Sequence, residues 1–233
     1  MYINNSKKLI FLHIPKNGGT SISSSLLDSG DWKHIFSLEP DYVDMFPKDQ
    51  SVHMDTKQLR HFPKYDDFDL VSVCRNPWSR QLSIFTFWLS QMNRIMNDDL
   101  EEYNDPNLRK FFSHKNTNYL RKLNKNIHSW VKNWHPKLIR DGFKGWITNN
   151  QHEHIIIGPN VNWEDEQRTS KHHWFKLETE MDHLADFLNL QKFEKFNRSA
   201  HLHYTEYYDD EMIKIVSNLY SKDIERFDYE YAK

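Results

Sequence analysis

Apolar runs of strand length alternate along this chain with turns and with amphipathic stretches. The first run, Lys8–Ile14 (KLIFLHI), is predicted to be a buried strand. Two adjacent glycines follow it and indicate a tight turn, after which Thr20 or Ser21 can cap a helix. The apolar positions of that helix fall on one face, and they are Ile22, Leu26 and Leu27. A strand, a glycine turn and a helix in this order are typical of the start of an α/β fold.

A second unit of the same kind begins near residue 70. The run Leu70–Cys74 (LVSVC) is predicted to be a strand, and the segment Arg75-Asn76-Pro77 ends it. Pro77 suits the first turn of a helix, and apolar residues recur at helical spacing over Trp78–Leu89. Two strands that each lead into a helix favour a parallel sheet.

The remainder of the chain is predicted to be mainly helical. A short helix is expected over Asp55–His61, and the polar segment Gln91–Asn162 is expected to be mostly helical. A later strand is predicted at His173–Leu177. Two amphipathic helices are predicted after it, over Glu180–Leu190 and over Asp210–Phe227.

Composition narrows the class of protein. The 233 residues include 31 Lys and Arg against 33 Asp and Glu, a net charge of −2 that argues against a nucleic-acid coat or a polybasic membrane binder. No apolar run approaches the roughly 20 residues that span a bilayer, and the polar N-terminal residues lack the pattern of a signal peptide. The single cysteine, Cys74, excludes a disulfide framework and favours a reducing compartment. Without repeats or linkers, we expect one cytoplasmic α/β domain over residues 1–233: a short parallel sheet flanked by helices, with a helical middle and C-terminus.

The segment Lys16–Ser21 (KNGGTS) has the groups that an anion site needs. The backbone N–H groups of a glycine turn and the positive end of the following helix dipole favour an anion at the same place. Lys16 adds a full positive charge, and Thr20 and Ser21 add hydroxyl donors. The segment predicts a site for a phosphate or sulfate group, although a plain strand–helix turn with a solvent-facing lysine also fits these residues.

This loop differs from the phosphate loops of ATPases and GTPases. The pattern G-x-x-x-x-G-K-[ST] is missing, since Lys16 precedes the glycines. The second strand leads into Arg75, where a nucleotide enzyme that uses magnesium needs an Asp. A kinase or GTPase is therefore disfavoured, and we expect protein cations, without a metal, to hold the anion.

A second candidate contact to an anion comes from the second strand–helix unit. Arg75 lies at the carboxyl end of its strand, where α/β folds form their binding crevices. Ser83 follows eight residues later, two turns into the next helix, so the two side chains can converge on one phosphate. Taken singly, Arg75 also fits a surface ion pair and Ser83 an ordinary helix position.

Together, the two segments resemble the two cofactor motifs of sulfotransferases. The matching residues are Lys16-Asn17-Gly18-Gly19-Thr20-Ser21 after FLHIP, and Arg75-Asn76-Pro77-Trp78-Ser79-Arg80 with Ser83. They look most like the carbohydrate sulfotransferases typified by heparan sulfate 2-O- and chondroitin sulfotransferases and their bacterial relatives. Further similar segments are Phe175-Lys176-Leu177-Glu178, Leu184–Leu188, Asn197-Arg198-Ser199, Tyr207-Tyr208-Asp209 and Asp223–Tyr229. Asn17 departs from the family pattern, where Thr or Ser is more usual.

The resemblance implies a function, a cofactor and a P-loop-like fold. It implies transfer of a sulfuryl group from 3′-phosphoadenosine 5′-phosphosulfate (PAPS) to a hydroxyl, usually of a carbohydrate. By this resemblance the loop Lys16–Ser21 holds the phosphosulfate, and Arg75 and Ser83 hold the 3′-phosphate. Transfer is expected by in-line displacement, without a metal, and leaves adenosine 3′,5′-bisphosphate.

Such a reaction needs a base for the acceptor hydroxyl and a cation for the leaving phosphate. Lys16 is placed for the second task. By resemblance His53 is the expected base, because the relatives carry an active-site histidine between the two cofactor motifs. A loop histidine without a catalytic role also fits His53, and Glu178 is a less favoured base. His13 is expected to pack against or orient the loop.

Two other classes of function stay open at this point. The first is a nucleotide or small-molecule kinase with an atypical phosphate loop. The second is a non-catalytic protein that binds a glycan or a nucleotide on the same fold. For a sulfotransferase, the resemblance implies that the acceptor pocket comes from the segment Gln91–Asn162.

Overall fold

A five-stranded sheet forms the centre of the fold. The computed structural model describes residues 1–42, 53–96, 142–148, 159–164, 167–191, 193 and 202–232. The strands of the sheet are β1 (Tyr2–Asn4), β2 (Leu9–Leu12), β3 (Lys33–His34), β4 (Asp69–Cys74) and β5 (His172–Lys176). Their spatial order is β3-β1-β2-β4-β5.

Helices flank this sheet. The α-helices of the described ranges are α1 (Gly19–Asp28), α2 (Ile35–Leu38), α3 (Thr56–Leu59), α4 (Pro77–Met96), α5 (residues 142–148), α6 (Met181–Leu188), α7 (Asp210–Leu219) and α8 (Ser221–Phe227). Short 3-10 turns lie at Pro40–Tyr42, Pro63–Tyr65, Asn160–Trp163 and Tyr204–Tyr207. None of the described helices combines the length and the apolar character that crossing a bilayer requires.

Strands β2, β4 and β5 run parallel, and this part of the sheet positions the two candidate loops. Leu9 pairs with Asp69 and Leu12 with Ser72, so the carboxyl ends of β2 and β4 lie side by side. The residues that follow these two strands therefore meet at one edge of the sheet. The α/β class predicted from the sequence is confirmed.

Both faces of the sheet are covered, which explains why β2 is apolar at every position. Ile10 and Leu12 pack with Leu70 under α2, α3 and the residues between α3 and β4. The alternate residues pack on the opposite face against α1 and α6, in a cluster that includes Leu9, Phe11, Val71, Val73, Ile22, Leu26, Leu184 and Leu188. A third cluster joins α4, α5, α7 and α8 around the buried Trp146 and Tyr220.

Two elements differ from the sequence prediction. The polar N-terminal residues do not predict strand β1, yet Tyr2–Asn4 is buried and pairs antiparallel with β2, so the sheet is mixed rather than wholly parallel. The helix expected over Asp210–Phe227 is two helices that meet at Tyr220, which has φ −109° and ψ 23° and a buried hydroxyl that accepts a hydrogen bond from Gln81. Most of the segment predicted to be helical, Gln91–Asn162, lies outside the described residues. Within it, α4 continues to Met96 and α5 is helical.

Candidate functional site

The loop between β2 and α1 has a left-handed backbone at two positions. Lys16 has φ +67° and Gly18 has φ +77°. Gly18 is the N-cap of α1, and no side chain caps the first amides of this helix. The prediction that Thr20 or Ser21 caps the helix is therefore wrong: both lie in its first turn, because the glycine adopts the cap conformation earlier. An anion at this helix start therefore has no side-chain cap to displace.

His13 packs directly against the start of α1. A Cβ atom at Gly19 would lie only 2.0 Å from His13 Cδ2, so no side chain fits at this position. His13 is buried, and its Nδ1 lies 3.3 Å from Ser23 Oγ. Burial, followed by the nearby charges of His53 and Lys16, holds the pKa of His13 well below the ordinary value of 6.5, so the ring is neutral.

The loop carbonyls are bound from the side of β4 and α4. Arg75 Nη1 donates to Lys16 O at 3.1 Å, and Arg80 Nε donates to Pro15 O at 3.2 Å. In a planar trans peptide the N–H of the next residue points the opposite way from the carbonyl. The backbone N–H groups of Lys16 and Asn17 therefore point away from these two arginines.

Asn76 sets the start of α4 beside Arg75. Its Oδ1 accepts hydrogen bonds from the N–H groups of Trp78 and Ser79, both at 3.2 Å, and Pro77 is the first helical residue. The Asn76 N–H donates to Glu178 Oε1 at 2.8 Å, and Glu178 Oε2 accepts from the Tyr229 hydroxyl at 3.5 Å. Glu178, a less favoured candidate base, thus holds the connection between β4 and α4.

Arg75 extends along the first turns of α4 toward the loop. Its Nε and Nη2 donate to Ser79 Oγ at 3.1 and 2.8 Å. Ser83 comes four residues after Ser79 and so lies on the same face of the helix, one turn further. Ser83 is buried, and within the described ranges its hydroxyl has no hydrogen-bond partner. The Arg75 guanidinium and Ser83 therefore lie along one face of α4.

The same face of α4 also contacts Lys16 of the loop. Phe87 lies four residues after Ser83, and the Lys16 ammonium is 4.1 Å from the centre of the Phe87 ring, a cation–π contact. Burial, and then the charge of Arg75, lowers the pKa of Lys16 from 10.5 to about 8. The face of α4 that carries Ser79, Ser83 and Phe87 thus joins Arg75 to Lys16.

His53 lies beside the same loop, although 40 residues separate it from His13 along the chain. Its Nδ1 donates to the His13 carbonyl oxygen at 2.9 Å, and the two rings meet edge to face with centroids 4.6 Å apart. A histidine that donates from Nδ1 carries its basic lone pair on Nε2 when it is neutral. The capping box of α3, formed by Asp55 and Gln58, follows two residues later and fixes the segment.

Asn17 has a role that its position in the motif does not reveal. Its side chain is buried, and its amide nitrogen donates to Val73 O at 2.6 Å and to Asn160 Oδ1 at 2.7 Å. Both side-chain amide hydrogens are therefore used inside the protein, which leaves the backbone N–H of Asn17 as its donor for a ligand. Asn160 was not singled out from the sequence, since no local signal distinguishes it.

The described residues supply groups for a phosphorylated ligand and no cluster for a metal ion. The cations Lys16 and Arg75 flank the loop after β2. Hydroxyl groups come from Thr20 and Ser21 in the first turn of α1 and from Ser83 in α4. Within these ranges, no three His, Cys, Asp or Glu side chains come together in a way that could bind a metal.

The comparison with protein families covers almost the whole chain. A family model described as the sulfotransferase family matches residues 1–230. The match includes the loop after β2, the connection between β4 and α4, and the C-terminal helices. Searches of curated proteins and of solved structures found no match.

Proposed function

The chain belongs to the sulfotransferase family, and on that premise we propose that it transfers a sulfuryl group from PAPS to a hydroxyl of a carbohydrate acceptor. The observation that carries this proposal is the shared helix face of α4. Along it, Arg75, Ser79, Ser83 and Phe87 lead from the end of β4 to the Lys16 ammonium. Two cationic groups on one face suit a ligand with phosphates at two positions.

In this proposal, the loop after β2 and the connection between β4 and α4 each bind one phosphate-bearing end of the ligand. The amides of Lys16 and Asn17, which point away from the arginines that bind the loop carbonyls, hold the 5′-phosphosulfate together with the start of α1. Arg75 and the Ser83 hydroxyl hold the 3′-phosphate. Arg75 retains donors for this task, because its described hydrogen bonds use three of its five N–H groups.

The chemistry follows from the groups around the loop. PAPS supplies a sulfuryl group on a phosphate leaving group. His53 accepts the proton of the acceptor hydroxyl at Nε2, while the hydroxyl oxygen forms its bond to sulfur and the bond from sulfur to the bridging phosphate oxygen breaks. Lys16 stabilises the charge that then develops on the 5′-phosphate. Adenosine 3′,5′-bisphosphate is the second product.

The proposal also includes a carbohydrate as the acceptor and the cytoplasm as the compartment. The carbohydrate acceptor is supported by the similarity of both cofactor motifs to those of carbohydrate sulfotransferases. The cytoplasmic setting is supported by Cys74, a free and buried thiol whose pKa is raised by burial to about 12.

A transfer assay tests this function. The protein is given PAPS labelled in its sulfuryl group together with a panel of glycans, and labelled product is measured without added metal. We expect transfer by the wild type and a kcat lowered about 100-fold or more in His53→Ala, with unchanged affinity for the bisphosphate.

His183→Ala is the matched control, since His183 is exposed on α6. We expect this variant to keep the wild-type rate. Absence of labelled product with every glycan, or full activity of His53→Ala, would contradict the proposal.

A further inference from the structure

A buried chain of polar side chains connects the C-terminal helix α8 to the loop after β2. We propose that Asp223 of α8 is a positioning residue for this loop, and that it acts through Asn160 and Asn17. The inference rests on the proposed function for its consequence, since the loop is the site assigned to the phosphosulfate. The hydrogen bonds that make this connection are formed within the protein and do not depend on a ligand.

The three residues lie inside the protein, where a polar side chain is retained only if it is well bonded. Asp223 and Asn160 are 0% exposed, and Asn17 is 1% exposed. The three come from distant parts of the chain, because 63 residues separate Asn160 from Asp223 and 143 separate Asn17 from Asn160. Only the folded chain brings them together.

The Asp223 carboxylate is the fixed end of the chain of hydrogen bonds. Its Oδ2 accepts from the Asn160 backbone N–H and from Asn160 Nδ2, both at 2.7 Å, and its Oδ1 accepts from the Val161 N–H at 2.9 Å. Three donors converge on one carboxylate, so an Asn side chain there would place an N–H group against a donor. The negative charge also faces Arg80, the residue that holds the Pro15 carbonyl.

Asn160 connects the Asp223 carboxylate to the loop. Since Asp223 takes its Nδ2 hydrogen bond, the Asn160 side chain presents Oδ1 to Asn17 Nδ2 at 2.7 Å. Asn17 donates its second amide hydrogen to Val73 O at 2.6 Å and so ties the loop to β4. The orientation of Asn160 is thereby defined by the carboxylate, and the position of Asn17 by the orientation of Asn160.

Asn17 lies between the two left-handed residues of the loop, Lys16 and Gly18. A left-handed conformation at a residue other than glycine is unfavourable and persists only where its surroundings hold it. The hydrogen bonds from Asp223 through Asn160 to Asn17 fix the centre of the loop in this way. Its loss is expected to loosen the loop amides and so to weaken a site that depends on directed donors.

Hydrogen exchange in the unliganded full-length protein tests the connection without any ligand. In Asp223→Asn we expect the Ile22 backbone amide, which closes the loop by donating to Gly18 O, to exchange about tenfold faster than in the wild type, while the amides of β1 keep their rates. The matched control is Glu225→Gln, an exposed carboxylate on the same helix. Unchanged exchange of the Ile22 amide in Asp223→Asn would overturn the inference.

Affinity for adenosine 3′,5′-bisphosphate tests the route through Asn17. We expect Asp223→Asn to weaken binding about tenfold, and to have less than about a twofold effect when Asn17 is already alanine, because residues that act in one network are not additive. Equal effects in both backgrounds would overturn the route. If the wild type does not bind the bisphosphate, the proposed function fails, and the exchange measurement still decides whether Asp223 positions the loop.

Should Asp223→Asn fail to fold, Asn160→Ala takes its place. This variant leaves the carboxylate but removes the contact with Asn17, so it is expected to raise the exchange rate of the Ile22 amide in the same way. Its control is Asn162→Ala, an exposed asparagine two residues away. Exchange of this amide equal to that in the control would overturn the inference.

Discussion

Gly19 and His13 determine together how closely the loop approaches the end of β2. The His13 ring occupies the space where any other residue at position 19 would have its Cβ atom. The two glycines of the motif therefore have different roles, since Gly18 supplies a left-handed backbone and Gly19 supplies space. The sequence predicted the tight turn at these residues, but it carried no sign of the ring that makes Gly19 necessary.

Gly19→Ala tests this close contact. We expect a loss of about 2–3 kcal/mol in the free energy of unfolding, because the new methyl group overlaps a ring in a well-packed site. We also expect weaker bisphosphate binding, since the start of α1 has to move. Denaturant unfolding and calorimetry measure the two effects.

The double variant Gly19→Ala/His13→Ala supplies the control. With the ring removed, the new methyl group has space, so the variant is expected to bind the bisphosphate more tightly than Gly19→Ala alone. Equal affinity of the single and double variants would contradict the role of His13.

Lys16 gives the site a dependence on pH. A lysine with a pKa of about 8 is mostly charged at pH 7 and mostly neutral at pH 9, whereas the phosphates stay ionised over this range. We expect the affinity for the bisphosphate to fall as the pH rises through about 8, with the midpoint moved upward in the complex because the anion favours the charged lysine.

Titrations at a series of pH values measure this dependence. Lys16→Met is expected to bind weakly at every pH and to remove the dependence, while Lys33→Met, at an exposed position on β3, keeps it. The same fall of affinity in Lys16→Met would assign the dependence to another group.

At the level of elements, strongly patterned segments were predictable and marginal ones were not. The strands β2 and β4 were predicted within two residues of their bounds because each is an apolar run followed by a turn. Strand β1 has three residues with no alternation to detect, and it is stable only because β2 and β3 pair with it. The division between α7 and α8 depends on the packing of Tyr220, which helical periodicity does not report.

The start of α4 joins helix stability to the candidate site. Asn76→Ala removes the acceptor for the Trp78 and Ser79 amides, so we expect a loss of about 1–2 kcal/mol in stability. Because Ser79 also orients Arg75, the variant is expected to bind the bisphosphate more weakly.

Asp209→Ala separates these two effects. Asp209 caps a different helix, α7, by accepting a hydrogen bond from the Met212 amide. Its loss is expected to lower the melting temperature to a similar degree and to leave affinity unchanged. If both cap variants weaken binding equally, α4 has no special connection with the site.

At the level of the whole molecule, the sequence predicted the class of fold and the two loops, while long-range contacts required the structure. Each loop is a continuous motif, so its residues could be found by inspection. The contact of His53 with His13, and the chain from Asp223 to Asn17, join residues 40 to 143 positions apart at each step. No local pattern encodes such pairs, because they depend on how the layers of the fold pack.

Two histidines held neutral in the fold, the buried His13 and the half-buried His172, are expected to make the whole molecule sensitive to acid. Burial lowers the pKa of His172 to about 3 and holds that of His13 well below 6.5. The unfolded chain takes up protons at these histidines below about pH 6.5 while the folded chain does not, so stability falls as the pH decreases through that value. Each histidine is expected to contribute up to about 1.4 kcal/mol per pH unit below pH 6.

Thermal unfolding between pH 7.5 and pH 5 measures this effect. The melting temperature is expected to fall with pH, and His172→Asn is expected to show a shallower fall than the wild type. His183→Asn, at an exposed site, serves as the control. A fall of the same steepness in wild type and His172→Asn would contradict the assignment.

The central claim is that the two strand–helix connections form one site for a nucleotide with phosphates at two positions. Calorimetric titration with adenosine 3′,5′-bisphosphate, without metal, tests it most directly, with ATP and magnesium as the comparison. The account predicts binding of the bisphosphate by the wild type and loss of binding in Arg75→Ala. Binding of ATP with magnesium and none of the bisphosphate would contradict the account and favour a kinase.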